Sequence, residues 1–220
     1  MGDRAAEFGH ANPADSAAYT GLLGVLDELR SRARASAERQ LEGIAQARGA
    51  RALRQTLEAE LHGTHLPHLV RVGASATQEQ PEVGPTYRLK SKVRSVRGFL
   101  TAVSAMAEAA RGQRELLARH GLQDAVLDDL AAKVTAYDEA VRQSDEGRRQ
   151  HIGATVDLRV VAEEIVRVVQ VMDGFQRLRF AKDPERLAAW VGASSVRSTR
   201  RSAESVQPEP SAPEPIRPAA

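Results

Sequence analysis

From Ala17 onward, apolar side chains return every third or fourth residue. Leu22, Leu26, Leu29, Ala33 and Ala37 come first, and Leu53, Leu57 and Leu61 resume after a weak stretch around Gly43 and Gly49. That period lays one stripe along a helix, since each residue turns the chain by about 100°. It predicts one bent helix or two in succession. The segment TQEQPEVGPTYRLK, 77–90, carries two prolines and a glycine and predicts a loop.

A second stripe runs through Val93, Val96, Leu100, Val103, Ala107, Ala110 and Leu117, with His120-Gly121 as the expected helix end. A third begins near Leu122 and continues through Leu127, Leu130, Val134, Tyr137 and Val141. The wholly polar RQSDEGRRQ, 142–150, then breaks the pattern and is expected to be a hairpin tip, with one long continuous helix as the alternative.

Leu158, Val161, Ile165, Val168, Met172 and Phe175 follow at the seam spacing of packed helices, and Val160, Val166, Val169 and Val171 widen the seam. This stretch is expected to be the central helix, each fully buried aliphatic side chain contributing about 1.5–3 kcal/mol. Asp183-Pro184-Glu185 marks the start of a short last helix, 184–191. An Asp cap, a proline in the first turn and an acidic residue near the positive helix end all agree. Leu187 and Trp190 should fold it back onto the rest.

The predicted fold is therefore all-α: an antiparallel bundle of four to five long helices, one of them kinked near Pro67. Residues 1–15 read as a polar, flexible lead-in and 16–193 as one helical-bundle domain. Residues 194–220 read as a proline-rich disordered tail that buries too little to offset its ordering entropy. Composition sharpens this picture. The 220 residues are 42% hydrophobic but only 4% aromatic, so the core must be built from Ala, Leu and Val, which favour close-packed helices.

The absence of cysteine excludes disulfides, thiolate zinc sites and cysteine nucleophiles, and fits a cytoplasmic setting. The most apolar run, 160–172, is interrupted by Glu163, Glu164 and Arg167, so no transmembrane segment is expected. A net charge of +2 spread along the chain is no strong nucleic-acid signal, and Arg197, Arg200 and Arg201 in the tail lack interleaved aromatics. No phosphate-binding glycine loop, dinucleotide fingerprint or serine elbow is present.

Candidate chemistry concentrates in ELHGTHLPHLVRVG, 60–73. On a helix, His65 and His68 continue the stripe of Leu57 and Leu61, whereas His62 points to its side. Pro67 removes a backbone donor and crowds the carbonyl of Gly63, which gives the kink. Three readings arise. His65 and His68, with His62 beside them, are metal-ligand candidates if another helix completes the set. A general base paired with Glu163 or Asp157 is a second, without any nucleophile to accompany it. The third, and simplest, is that His65 and His68 are hydrogen-bonded core histidines.

Elsewhere, HIGATVDL at 151–158 could hold an anion on exposed amides at a helix start beside Arg148 and Arg149. Its plainer reading is that Gly153 and Ala154 let two helices cross closely. Glu163 and Glu164 are expected to pair with Arg159 or Arg167 one turn away.

The runs HIGATVDLRVVAEEIVRVVQVMDGFQRLRF (151–180) and DPERLAAW (183–190) resemble, together with HLPHLVRVG and its upstream leucines, a bacterial family of all-helical proteins without an assigned activity. The resemblance spans roughly residues 50–192. It implies a bundle of long helices and no activity or cofactor. The expected function is non-enzymatic: a cytoplasmic bundle acting by self-association or by binding a protein partner. A metal- or small-ligand-binding bundle using His65 and His68 is the alternative, and a helical coat for granules or membranes a third.

Overall fold

Leu57 and Leu61 are both buried, as their spacing demands, and the helix they belong to is much longer than the stripe that marks it. In the computed structural model, residues 1–88 and 95–195 are described, and no strand occurs among them. Val93 and the tail arginines Arg197, Arg200 and Arg201 lie outside the described residues. The chain is all-α: α1 (Gly2–Ala11), α2 (Ala17–Glu60), a π turn (Leu61–His65), α3 (Leu66–Ala76), α4 (Val96–Gly112), α5 (Arg114–Arg119), α6 (Asp124–Arg179) and α7 (Pro184–Ser194). It forms two compact units, Glu28–Ile165 and a second built from Met1–Asp27 with residues from Val166 onward.

In the Glu28–Ile165 unit, α2 and α6 run antiparallel. Arg32 meets Glu164 (3.5 Å), Arg39 meets Asp157 (3.2 Å), the Gln40 amide donates to Thr155 Oγ1 (2.9 Å), and Lys133 meets Glu60 (2.5 Å). Partner positions descend on α6 as they rise on α2. The residues between them are small: Ser36, Gly43 and Ala50 on α2, Ala140, Gly147 and Ala154 on α6, all buried. Their spacing of seven residues, two helical turns, is a true seam, but one that a search for large apolar side chains passes over.

This explains two departures from the sequence expectation. The polar stretch 142–150 is not a hairpin tip. It lies inside α6, with Gly147 facing the partner helix and its charged neighbours facing water. Likewise Gly43 and Gly49 do not interrupt α2.

At one end of this pair, α3, α4 and α5 gather around a larger core of Leu57, Leu61, Leu69, Phe99, Leu117 and Tyr137. The segment after α3 is a series of turns around a short 3₁₀ helix, Pro81–Val83. It is nonetheless anchored, because the Tyr87 ring lies so close to Gly73 that a Cβ there would meet it at 2.6 Å. The Tyr87 hydroxyl donates to Gln113 Oε1 (2.8 Å), at the break between α4 and α5 that sequence periodicity did not reveal. Gly121 takes φ +97° after α5, and the Leu122 amide returns to the Leu117 carbonyl (3.0 Å), the wrap that lets the chain reverse into α6.

In the other unit, residues 2–11, read from the sequence as a lead-in, form α1. Its buried face is Ala5, Ala6 and Gly9, too small to register as a stripe. α1 packs on α7, whose start is as expected: Asp183 Oδ1 accepts from the Arg186 amide (3.1 Å) and Pro184 opens the first turn. Trp190 is fully buried against Phe8, and its indole N–H donates to Asp173 (2.8 Å).

Candidate functional site

The proline at 67 shapes the histidine segment. Ahead of it the chain widens into the π turn, where the Leu66 amide bonds back to the Leu61 carbonyl. A wider turn relieves the clash between a proline ring and the carbonyl four residues earlier. The irregularity expected near Pro67 thus takes the form of an extra residue in the helix, and that residue sets where the imidazoles point.

His65 is buried, with Nε2–H donating to Asp129 Oδ2 (2.6 Å) and Nδ1 3.4 Å from the Glu60 carbonyl oxygen. Lys133 completes the ring, 2.5 Å from Glu60 Oε2 and 3.9 Å from Asp129 Oδ1. The hydrogen bond to Glu60 holds the Lys133 ammonium above its ordinary pKa. Each side chain in this ring has a partner in it, so it acts as a latch between the π turn and α6. Sequence reasoning placed His65 inside as a hydrogen-bonded core histidine and named Glu163 or Asp157 only for a general base; its partner is Asp129, which no spacing could reveal.

The other two histidines go elsewhere. His62 is exposed, its ring stacked on Phe99 at 4.8 Å between centroids, and His68 is half-buried. Among the described residues, no three His, Asp or Glu side chains gather as a metal site would need. The structure therefore does not bring His62, His65 and His68 together.

A constellation missed from the sequence lies at the end of α3. Ser75 Oγ is 3.0 Å from His120 Nδ1, and His120 Nε2 is 3.1 Å from Glu79 Oε2, which also takes Arg119 (2.6 Å on Oε1). The connectivity is that of nucleophile, base and orienter. Hydrolysis also requires free donors for an oxyanion, and the local amides are spent: those of Thr77, Gln78, Glu79 and Gln80 all bond to carbonyls between Gly73 and Ala76. This cluster ties α3 to α5. Arg119 and then His120 hold the Glu79 carboxyl below the usual glutamate range.

Residues 151–158 lie within α6, so no helix start offers amides to an anion there. Arg149 is engaged by Glu146 (2.7 Å). Gly153 has open space around it; the close crossing is at Gly147 and Gly43. Glu163 pairs with Arg159 (3.3 Å) as expected, while Glu164 reaches Arg32 on α2 instead of a neighbour on its own helix.

Among the described residues, an apolar row on α6 is open to solvent. Ile152, Val156 and Val160 follow one another at single-turn spacing on α6, 52%, 58% and 41% exposed, on the side away from the seam. No family model, curated protein or solved structure matches this chain.

Proposed function

We propose that this chain is a non-enzymatic, cytoplasmic helical scaffold that acts by pairing with a second helical surface, first of all another copy of itself. The exposed apolar stripe Ile152, Val156 and Val160 supports this reading. Three branched side chains on one helical face cost hydration free energy in the monomer and recover it against a partner. A straight stripe is also self-complementary under a two-fold rotation, the commonest symmetry of assemblies. The long antiparallel α2/α6 pair would serve as a coiled-coil arm that carries it. The lack of cysteine and of any described helix long and apolar enough to cross a membrane agrees with this setting.

Sedimentation over a wide concentration range tests the proposal. The native chain should shift from monomer toward dimer with rising concentration, and Ile152→Glu with Val156→Glu should abolish the shift without lowering helicity. A native chain that stays monomeric throughout would overturn self-association.

A further inference from the structure

We infer that the groove between α2 and α6 beside the Gly43–Gly147 contact is a binding site for a small phosphorylated anion, whose diphosphate group is gripped by Arg48, Arg51, Arg54 and Arg148. The groove holds ≈ 400 Å³, within the range of small-ligand sites. α2 supplies three arginines at intervals of three, successive ones rising by about 4.5 Å along one side of the helix. α6 supplies Arg148 and His151 from across the groove.

Charge in this groove differs from the charge that flanks it on the pair. The arginines that flank it sit on carboxylates: Arg39 on Asp157, Arg142 on Asp138, Arg149 on Glu146. None of the four groove arginines has an ion-pair partner among the described residues. The one carboxylate on the groove wall, Asp145, is 3.4 Å from Arg97 of α4.

Two nitrogen atoms of residues lining the groove are also unspent. Arg54 Nε and His151 Nδ1 are shielded from solvent, yet neither has a hydrogen-bond partner. Both residues occupy seam positions, where leucine or alanine would pack without that cost. A buried guanidinium N–H and an imidazole nitrogen on residues that line the same groove as unpaired arginines suit phosphoryl oxygens, which accept bidentate bonds from guanidinium.

The size of the ligand follows from where the charge stops. Polynucleotide binding needs a basic track that continues along the surface. Here the nearest arginines along the pair on either side, Arg39 on α2 and Arg142 and Arg149 on α6, are held by carboxylates, so the attraction is confined to a short anion. The site does not depend on self-association, because its walls belong to one chain.

Calorimetric titration of the full chain with inorganic diphosphate, with adenosine triphosphate and with a short oligonucleotide tests the assignment. Diphosphate or the triphosphate should bind saturably, and the stronger of the two tells whether the ligand carries a base. Arg51→Ala and Arg148→Ala should each weaken that binding by about tenfold or more, the value of one charge-assisted bond. Arg149→Ala, outside the groove, should leave it unchanged. Binding of the Arg54 Nε–H should appear as a shift of its own resonance in ¹H–¹⁵N spectra, a readout that needs no substitution in the seam. Absence of saturable binding by both phosphates, or binding indifferent to Arg51 and Arg148, overturns the site. Tighter binding of the oligonucleotide with steep salt dependence overturns it in favour of nucleic acid.

Discussion

Gly43 and Gly147 face each other across the α2/α6 pair at backbone contact. A Cβ on Gly43 would lie 2.7 Å from the Gly147 carbonyl oxygen, and one on Gly147 would lie 2.7 Å from the Gly43 carbonyl oxygen. The obstructing atoms belong to helical backbone, which cannot turn aside as a side chain tip can. Gly43→Ala or Gly147→Ala should therefore lower stability by about 1–3 kcal/mol. Gly49→Ala and Gly153→Ala, where nothing stands within 4 Å, should raise it by about 0.5–1 kcal/mol through helix propensity. Thermal melts of the four variants, split by sign in this way, check the contact; a common sign for all four would refute it.

Trp190 is the chain's single tryptophan, which makes its surroundings directly observable. It lies 5.4 Å from the Phe8 ring, and Arg4 binds the carbonyls of Gly192 (2.9 Å) and Ser195 (2.7 Å). Removing residues 2–11 should shift tryptophan emission to longer wavelength, as water reaches the indole. Unchanged emission would mean that α1 does not cover it.

All three tyrosines should titrate late. Burial pushes the Tyr87 hydroxyl up to about 12, and burial with the charge of Glu58 does the same to Tyr137. Burial also raises Tyr19, against the opposing hydrogen bond with Gln176. A phenol whose folded pKa exceeds its unfolded one supports the fold fully below about 10, and that support is lost as pH climbs toward 12. Absorbance at alkaline pH should show no tyrosinate at the ordinary midpoint, followed by ionisation together with unfolding. A normal titration near 10 in folded protein would contradict the burial.

The Glu79 cluster should fail in acid. Its carboxyl titrates below the ordinary value because of Arg119 and His120, so its contribution is present above the unfolded glutamate pKa and lost as pH falls through the folded one. Amide protection in residues 75–80, measured against the intrinsic exchange rate at each pH, should fall on acidification before that of the α2/α6 pair does. Glu79→Gln should remove most of that difference while leaving the neutral-pH fold in place.

Where large apolar residues mark the seam, the sequence was readable. Leu57 and Leu61, and Leu127, Leu130 and Tyr137 with Val134 packed against them, became core, and Asp183-Pro184 opened its helix, whereas Leu53, Val160, Val166, Val171 and Phe175 from the same stripes are exposed. Small residues hid the rest. Ser36, Gly43, Gly147 and Ala154 line a contact without a hydrophobic signal, so one helix of α6's length looked like two. Ala5, Ala6 and Gly9 concealed α1 in the same manner. The histidine latch was half legible: periodicity places His65 inside, but Asp129 lies 64 positions away and is fixed by packing alone. Arg48, Arg51 and Arg54 form a cluster only once α6 is laid beside them.

The π turn before Pro67 also gives this segment a length as well as a composition. It takes up one residue more than an α turn would, so deleting Gly63 would restore regular winding at that point. Everything after it would then swing by about 100° relative to α2. His65 would turn its ring from Asp129, and Leu66 and Leu69 would leave the interior together. Side chains here can be exchanged one at a time, whereas the tally of residues between Leu61 and Leu66 is fixed by the geometry on either side.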